Sequence, residues 1–410
     1  MIRRLIETTA LAAAGLLLAG SLANAEQIVL KFWDNQQTES GLSTFQQEAV
    51  KRFEAENPDI KVDVTTIPYP EYQQRLLTAV QAGNGPDVST VDQIWNAAFA
   101  EAGAIAKLDN MAKGSGVAAD AFFPGAWDSA NYKGALWGVP FNVDVWFFAF
   151  VNKALFDAAG VDPASIATWD GLAAAAPKLT DSSKGQFAIG LTGNKSEYPV
   201  VMTNSLVYSN GGAVLDADGK CALTSPEAIE ALEFYKRMTA YTPSGILNAA
   251  NEQMRELFLN GTLAIELWPA LEQPALDASK IDWDLYAGFA PEGKKAVGTF
   301  GGWNLVLYEQ SQHKEAAWKF VQFMTREDVN GAVVDLIPAN VNAAKAFLEK
   351  SRRHPDVILE HLNNAKPRPL SPQYLQVSEI QQDMVQKFLS GTPVPEAVAD
   401  ACKAIDALSQ

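Results

Sequence analysis

Only two cysteines and three histidines occur in 410 residues, and that scarcity removes several kinds of chemistry at once. Cys221 and Cys402 are far apart and carry no metal or redox spacing. In an exported chain they leave open either one disulfide or two separate thiols. His313, His354 and His361 fall late in helical, surface-like sequence and supply neither a triad nor a metal set. HExxH, GxSxG and a phosphate-cradling glycine loop with Lys-Ser/Thr are all missing, so no cofactor or metal is expected. A secreted glycosidase survives this test, because two carboxylates suffice for it and an acidic chain has many. Positive charge is also scarce: 32 Lys and Arg against 48 Asp and Glu give a formal −16, which argues against nucleic acid or an anionic membrane as partner.

No apolar run is long enough to span a bilayer. The run from about Ala10 to Gly20 follows Arg3 and Arg4 and precedes Ala23-Asn24-Ala25, the pattern of a cleaved signal peptide over residues 1–25. The residues flanking Arg3-Arg4 fit a twin-arginine signal poorly, which favours general secretion. No cysteine lies near the cut to accept a lipid, so a soluble, periplasmic mature chain starting near Glu26 is expected. Losing Arg3, Arg4 and Glu7 leaves it one unit more negative than the whole. Roughly 385 mature residues exceed what one hydrophobic core organises, so two lobes are expected.

The mature chain opens on a β-like run, Ile28 to Phe32, and a polar loop, Asp34 to Gly41. A helix follows: Ser43 and Gln46 make a capping box, Phe45, Ala49 and Phe53 share a face, and Asn57-Pro58 stops it. Lys61 to Ile67 alternates Val62, Val64 and Thr66, and after the Gly83–Pro86 turn a third strand, Asp87 to Val91, ends at Asp92. Strand, helix and strand in succession indicate a parallel sheet. Further on, Ser225-Pro226 starts a helix, Leu263 to Leu267 is a strand ending at Trp268-Pro269, and Trp303 to Leu307 is a strand entered through Gly301-Gly302. Lys314 to Met324 is an amphipathic helix, and mostly helical sequence follows the Pro367–Pro372 segment.

Asn131 to Asn152 sets Asn142 and Asp144 among Trp137, Phe141, Trp146, Phe147, Phe148 and Phe150. Flat apolar faces flanked by amides and carboxylates match a sugar, which has C–H faces and a hydroxyl rim. The same residues also suit a buried strand. Segments FEAENPDIKV (53–62), GPDV (85–88), YKGALWGVPF (132–141), VNKALFDAAGVDP (151–163), TWDGL (168–172), SPEAIEALEFYKRM (225–238), FLNGTLAIELW (258–268) and GGWNLVLYEQSQHKEAAWKFVQFMT (301–325) occur in an order that resembles the family 1 extracellular solute-binding proteins, the sugar-binding components of ABC importers.

That resemblance implies an α/β chain with the two-lobed periplasmic binding protein fold of type II, a cleft between lobes joined by a multi-strand hinge, and a sugar in the cleft. Lobe boundaries are expected at 26–141 plus about 302–340, and 142–301 plus about 341–410. Hinge crossings are expected at Phe141 to Val145 and Val297 to Gly301, with Gly298, Gly301 and Gly302 accommodating closure. The aromatic stretch then divides, with Asn142 and Asp144 at the crossing and Trp146 to Phe150 in the second lobe's core. Ligands of open α/β sheets bind beyond the carboxyl ends of strands, so the candidates are Trp303 and Trp268 as stacking faces, Trp33 and Trp95 beside them, and Asp92 and Asp144 as carboxylates for vicinal hydroxyls. Asn142, Gln36, Glu39, Glu197, Tyr198 and Arg368 are supporting candidates, Arg368 with an inter-lobe salt bridge as its other reading. The expected partners are a neutral carbohydrate and a membrane permease, the chain itself a monomer. A polyol or anionic sugar derivative is the alternative ligand, and a secreted carbohydrate-active enzyme the rival class.

Overall fold

The computed structural model describes residues 27–35, 43–333 and 337–408. The signal segment, Gln36 and Glu39 lie outside them. The strands used below are β1 Ile28–Asp34, β2 Ile60–Thr66, β3 Val88–Asp92, β4 Val139–Val145, β5 Phe148–Asn152, β6 Phe187–Gly190, β7 Leu263–Trp268, β8 Trp283–Ala287, β9 Thr299–Leu307, β10 Ile337–Pro338 and β11 Lys366–Pro367. The helices used below are α1 Ser43–Glu56, α2 Tyr69–Gln81, α3 Glu197–Ser209, α4 Pro226–Met238, α5 Lys314–Met324, α6 Pro355–Asn364, α7 Tyr374–Leu389 and α8 Val394–Leu408.

Two sheets organise two lobes. The first runs β10-β4-β9-β3-β1-β2, with β11 attached to β9, and the second runs β8-β5-β7-β6. β1 pairs parallel with β2 and β3, as strand–helix–strand succession requires, whereas β9 runs antiparallel to both β3 and β4. Apolar alternation decides which side faces inward: Leu30 and Phe32 are fully buried while Val29 is half exposed. Phe320 of α5 enters that core with its ring 5.1 Å from both Phe32 and Phe53, and burying such a side chain contributes about 1.5–3 kcal/mol. α1 ends where Asn57 turns its Nδ2 onto the Phe53 carbonyl at 2.9 Å, just before Pro58. α4 begins as its sequence signals, with Ser225 Oγ accepting the Ala228 N–H at 3.2 Å.

The chain stays in the first sheet longer than the sequence suggests. β4 continues through Val145, flanked by β9 and β10, and the change of sheet falls at Trp146–Phe147, where Phe147 takes φ 82°. Residues between β8 and β9 carry the return, and β11 leads from the first sheet into α7 and α8, which pack on α3 and α4. Cys221 and Cys402 form a disulfide, with Cα atoms 5.1 Å apart, that pins the segment before α4 to α8. The pairing joins positions 181 residues apart, so only the fold could reveal it.

Candidate functional site

The carboxyl end of β3 is the centre of a polar and aromatic cluster. Asp92 ends the strand and caps the following turn, accepting the Ile94 N–H at 3.3 Å, and that turn delivers Trp95. Tyr69, the first residue of α2, stacks on Trp95 with ring centres 5.8 Å apart and planes 14° apart. Trp303 of β9 stands edge-on to both rings, at 5.7 Å from Trp95 and 5.8 Å from Tyr69. Tyr72 closes the floor, its hydroxyl oxygen lying 2.8 and 2.9 Å from the Trp33 and Thr90 carbonyl oxygens and sharing its one hydrogen between them. Trp95 is buried, Trp303 and Trp33 are half-buried, and Tyr69 is 39% exposed. The ring surface left for a ligand is therefore shared among Tyr69, Trp303 and Trp33.

Arg368 reaches the same place from the segment after β11. Its Nη2 lies 3.0 Å from Asp92 Oδ1 and its Nη1 lies 3.4 Å from Glu197 Oε1. The guanidinium also sits 5.6 Å from the Trp146 ring and 5.8 Å from the Tyr374 ring. Glu197 is held in turn by the hydroxyls of Tyr374 and Ser378, which both donate to its carboxylate. Burial opposes the Arg368 charge, but Asp92, then Tyr374 and Glu197, more than offset it and raise its pKa. Burial pushes the Asp92 carboxyl above its ordinary value, with Arg368 pulling back the other way. The Tyr69 phenol is likewise pushed up, by burial first and by Asp92 second.

The sequence candidates separate by where the fold places them. Asp92, Trp95, Trp303, Glu197 and Arg368 are brought together, and Trp33 packs beside them. Asn142 and Asp144 are buried inside β4 because the strand is covered on both sides; Asn142 Oδ1 accepts the Trp303 N–H at 3.2 Å, and Asp144 Oδ1 accepts the Val145 N–H at 2.8 Å. Trp268 is 1% exposed, its ring set against Phe150 and Phe258 and its Nε1 donating to Asn251 at 3.1 Å, so it offers no free stacking face. Glu197 and Tyr198 open α3, and the Tyr198 hydroxyl donates to the Leu267 carbonyl.

Tyr69 and Trp146 belong to the cluster but were not among the sequence candidates. Tyr69 follows β2 through Pro68, so the rule that pointed to Trp33 and Trp95 applies to it equally. Trp146 was assigned to a core strand, yet it is half-buried at the change of sheet, under Arg368. Gly301 makes that possible, since a Cβ there would lie 2.3 Å from the Trp146 ring. Gly302 has φ 137° and a Cβ would lie 2.2 Å from the Asn142 carbonyl, so glycine is what lets β9 and β4 approach beneath Trp303. A hollow of about 570 Å³ lies elsewhere on the first lobe, bordered by Glu56, Phe122, Phe323 and Arg326, and none of the cluster residues lines it. Among the described residues no group of three or more His, Cys, Asp or Glu is placed to hold a metal ion, and no helix is long and apolar enough to cross a membrane.

Comparison with known proteins gives this geometry a context. The family described as bacterial extracellular solute-binding protein matches residues 35–331. A putative binding protein of Brucella abortus (strain 2308) is 28% identical over 375 residues, which cover 88% of this chain and 89% of that one. The mannitol-binding protein of Pseudomonas aeruginosa is 24% identical over 293 residues, 70% of this chain and 66% of the other. Among solved structures, an ABC transporter solute-binding protein of Thermotoga lettingae bound with alpha-D-tagatose superposes with a TM-score of 0.76 at 29% identity, covering 93% of this chain and 100% of that one.

Proposed function

The chain belongs to the bacterial extracellular solute-binding proteins, and from that premise we propose that it is the periplasmic receptor of an ABC importer for a neutral carbohydrate. The observation that carries the ligand class is the wall of Tyr69, Trp95 and Trp303 standing beside Asp92. Apolar ring faces receive the C–H face of a sugar, and an adjacent carboxylate accepts from its hydroxyls. Among the described residues the first lobe comprises 27–35, 43–145, 299–333 and 337–367, and the second comprises 146–298 and 368–408. Sugar between them contacts both lobes only when they close, so binding shifts the population toward the closed form that a permease reads.

Arg368 favours a neutral over an anionic ligand in this reading, because its guanidinium is already shared by Asp92 and Glu197. A polyol is the second reading, favoured by the mannitol-binding relative. As a receptor the monomeric protein turns nothing over, and labelled oligosaccharides incubated with it are expected to be recovered unchanged. A thermal-shift screen across mono-, di- and oligosaccharides and polyols identifies the ligand, since a compound that binds only the folded state raises the melting temperature. With that ligand, W303A is expected to bind at least tenfold more weakly, a loss of about 1.4 kcal/mol or more. Unchanged affinity by calorimetry would remove Trp303 from the site.

A further inference from the structure

β9 and β4 change register beneath the aromatic wall. Trp303 lies opposite Asn142, and the next residue, Asn304, lies opposite Pro140, so one step along β9 meets two along β4 and Phe141 is left over as a β-bulge. Pro140 carries no N–H to give to a ladder, and proline inside a sheet is confined to such interruptions and to edges. A bulge re-aims the side chains beside it. The side chain beside this one is Trp303, whose ring stands edge-on to Trp95 and Tyr69.

Buried asparagines hold the groups that the bulge displaces. Asn330, from the helix after α5, donates its Nδ2 to the Phe141 carbonyl at 2.8 Å, which also accepts the Ala339 N–H at 3.2 Å. Asn304 places its Nδ2 3.4 Å from Ser129 Oγ. Asn142 turns its Oδ1 onto the Trp303 N–H at 3.2 Å. Each of these asparagines is fully buried, where an amide is tolerated for the hydrogen bonds it makes. The residue before Trp303 is Gly302, whose backbone brings little rotational restraint of its own, and the Asn142 hydrogen bond supplies it.

We infer that Asn142 is a positioning residue: its side-chain oxygen fixes the Trp303 backbone at the bulge, so that the indole meets the sugar at one angle. Being fully buried, Asn142 acts through Trp303 rather than on the ligand. The inference rests on Trp303 being a ligand face. Leucine at 142, branched at the same atom, would keep the strand covered but leave the Trp303 N–H without this acceptor and its ring free to swing.

The test uses the mature protein labelled with 5-fluorotryptophan, in which the Trp303 line among ten tryptophans is identified by its loss in W303F. Without any ligand, N142L is expected to shift and broaden that 19F line. N142D, which keeps an oxygen in place, should return it toward wild type. Q381M removes a buried amide of the second lobe, the one that donates to Asn204 at 2.7 Å, and should leave the line unmoved. N142S withdraws the same acceptor in a smaller side chain and gives the same reading should N142L not fold. D-glucose, maltose and D-mannitol are then titrated by calorimetry. Whichever of them binds should do so at least fivefold more weakly to N142L, while N142L added to W303A should cost less than a further twofold. A Trp303 line unmoved in N142L, or moved as far in Q381M, would overturn the assignment, as would an equal affinity loss with and without the Trp303 ring. Affinities that W303A leaves unchanged would remove Trp303 from the sugar site and leave the ring measurement to decide the role of Asn142.

Discussion

R368M is expected to lower the unfolding free energy by about 3–5 kcal/mol, the cost of removing one partner from a buried ion pair. Arg368 is 6% exposed and its guanidinium serves two carboxylates, Asp92 at the end of β3 and Glu197 at the start of α3. Methionine would fill much of the space between the Trp146 and Tyr374 rings while leaving Asp92 buried without its cation. Burial and the neighbouring Glu197 both raise the Asp92 pKa, and R368M removes the largest influence that opposes them. The deficit should therefore be largest at neutral pH and shrink on acidification, as Asp92 takes up the proton that replaces its lost partner. D92N combined with R368M should recover part of the loss, because the orphaned charge is then gone. R368K should fall between, since an ammonium keeps the charge but cannot fork to two carboxylates. Urea unfolding of the four proteins decides the matter: R368M within about 0.5 kcal/mol of wild type would show that the triad contributes nothing.

The same arginine changes how binding energy is divided. Asp92 belongs to the first sheet and Glu197 to a helix of the second lobe, so Arg368 joins the lobes through contacts that need no ligand. A receptor with such a joint has part of its closure energy built into the chain, and the ligand supplies only the remainder.

Much of this was legible in the sequence, for reasons that can be named. β1, β2 and α5 obey local periodicity, and periodicity is a property of neighbours along the chain. Asp92, Trp95 and Trp303 were reachable because strand ends can be located without knowing which strands pair. Asn142, Asp144 and Trp268 could not be placed from residue type alone. Their exposure depends on which strands and helices cover them, and β10, which flanks β4, comes almost 200 residues later. Trp146 was misread because an aromatic run resembles a buried strand until a positive φ at Phe147 and the bare backbone of Gly301 are seen to turn one ring outward. The Cys221–Cys402 bond was open on sequence for the same reason.

Glu266 gives the opposite case to Arg368, a buried ionisable group with no partner, and E266Q is expected to stabilise the protein increasingly as pH rises. The residue lies in β7 across from Phe150 and Gly190 and is fully buried. Neither carboxylate oxygen has a protein partner, and the space it occupies exists because position 190 is glycine, where a Cβ would lie 2.0 Å from Oε2. The neighbouring phenols are committed elsewhere, Tyr198 to the Leu267 carbonyl and Tyr235 to the Thr192 carbonyl. Burial alone holds the Glu266 pKa well above 4.5. With the folded pKa raised, the folded state binds the proton more tightly than the unfolded chain. Folding is thus favoured below the ordinary pKa and loses stability as pH climbs from there toward the folded value. Each pH unit in that window costs up to about 1.4 kcal/mol, which a glutamine of the same shape does not incur. Unfolding curves from about pH 4.5 to pH 8 should show wild type and E266Q diverging, with ligand affinity alike in both because the side chain is fully buried and is not part of the aromatic cluster. A stability difference constant across that range would mean that Glu266 ionises as freely in the folded protein as in the unfolded one.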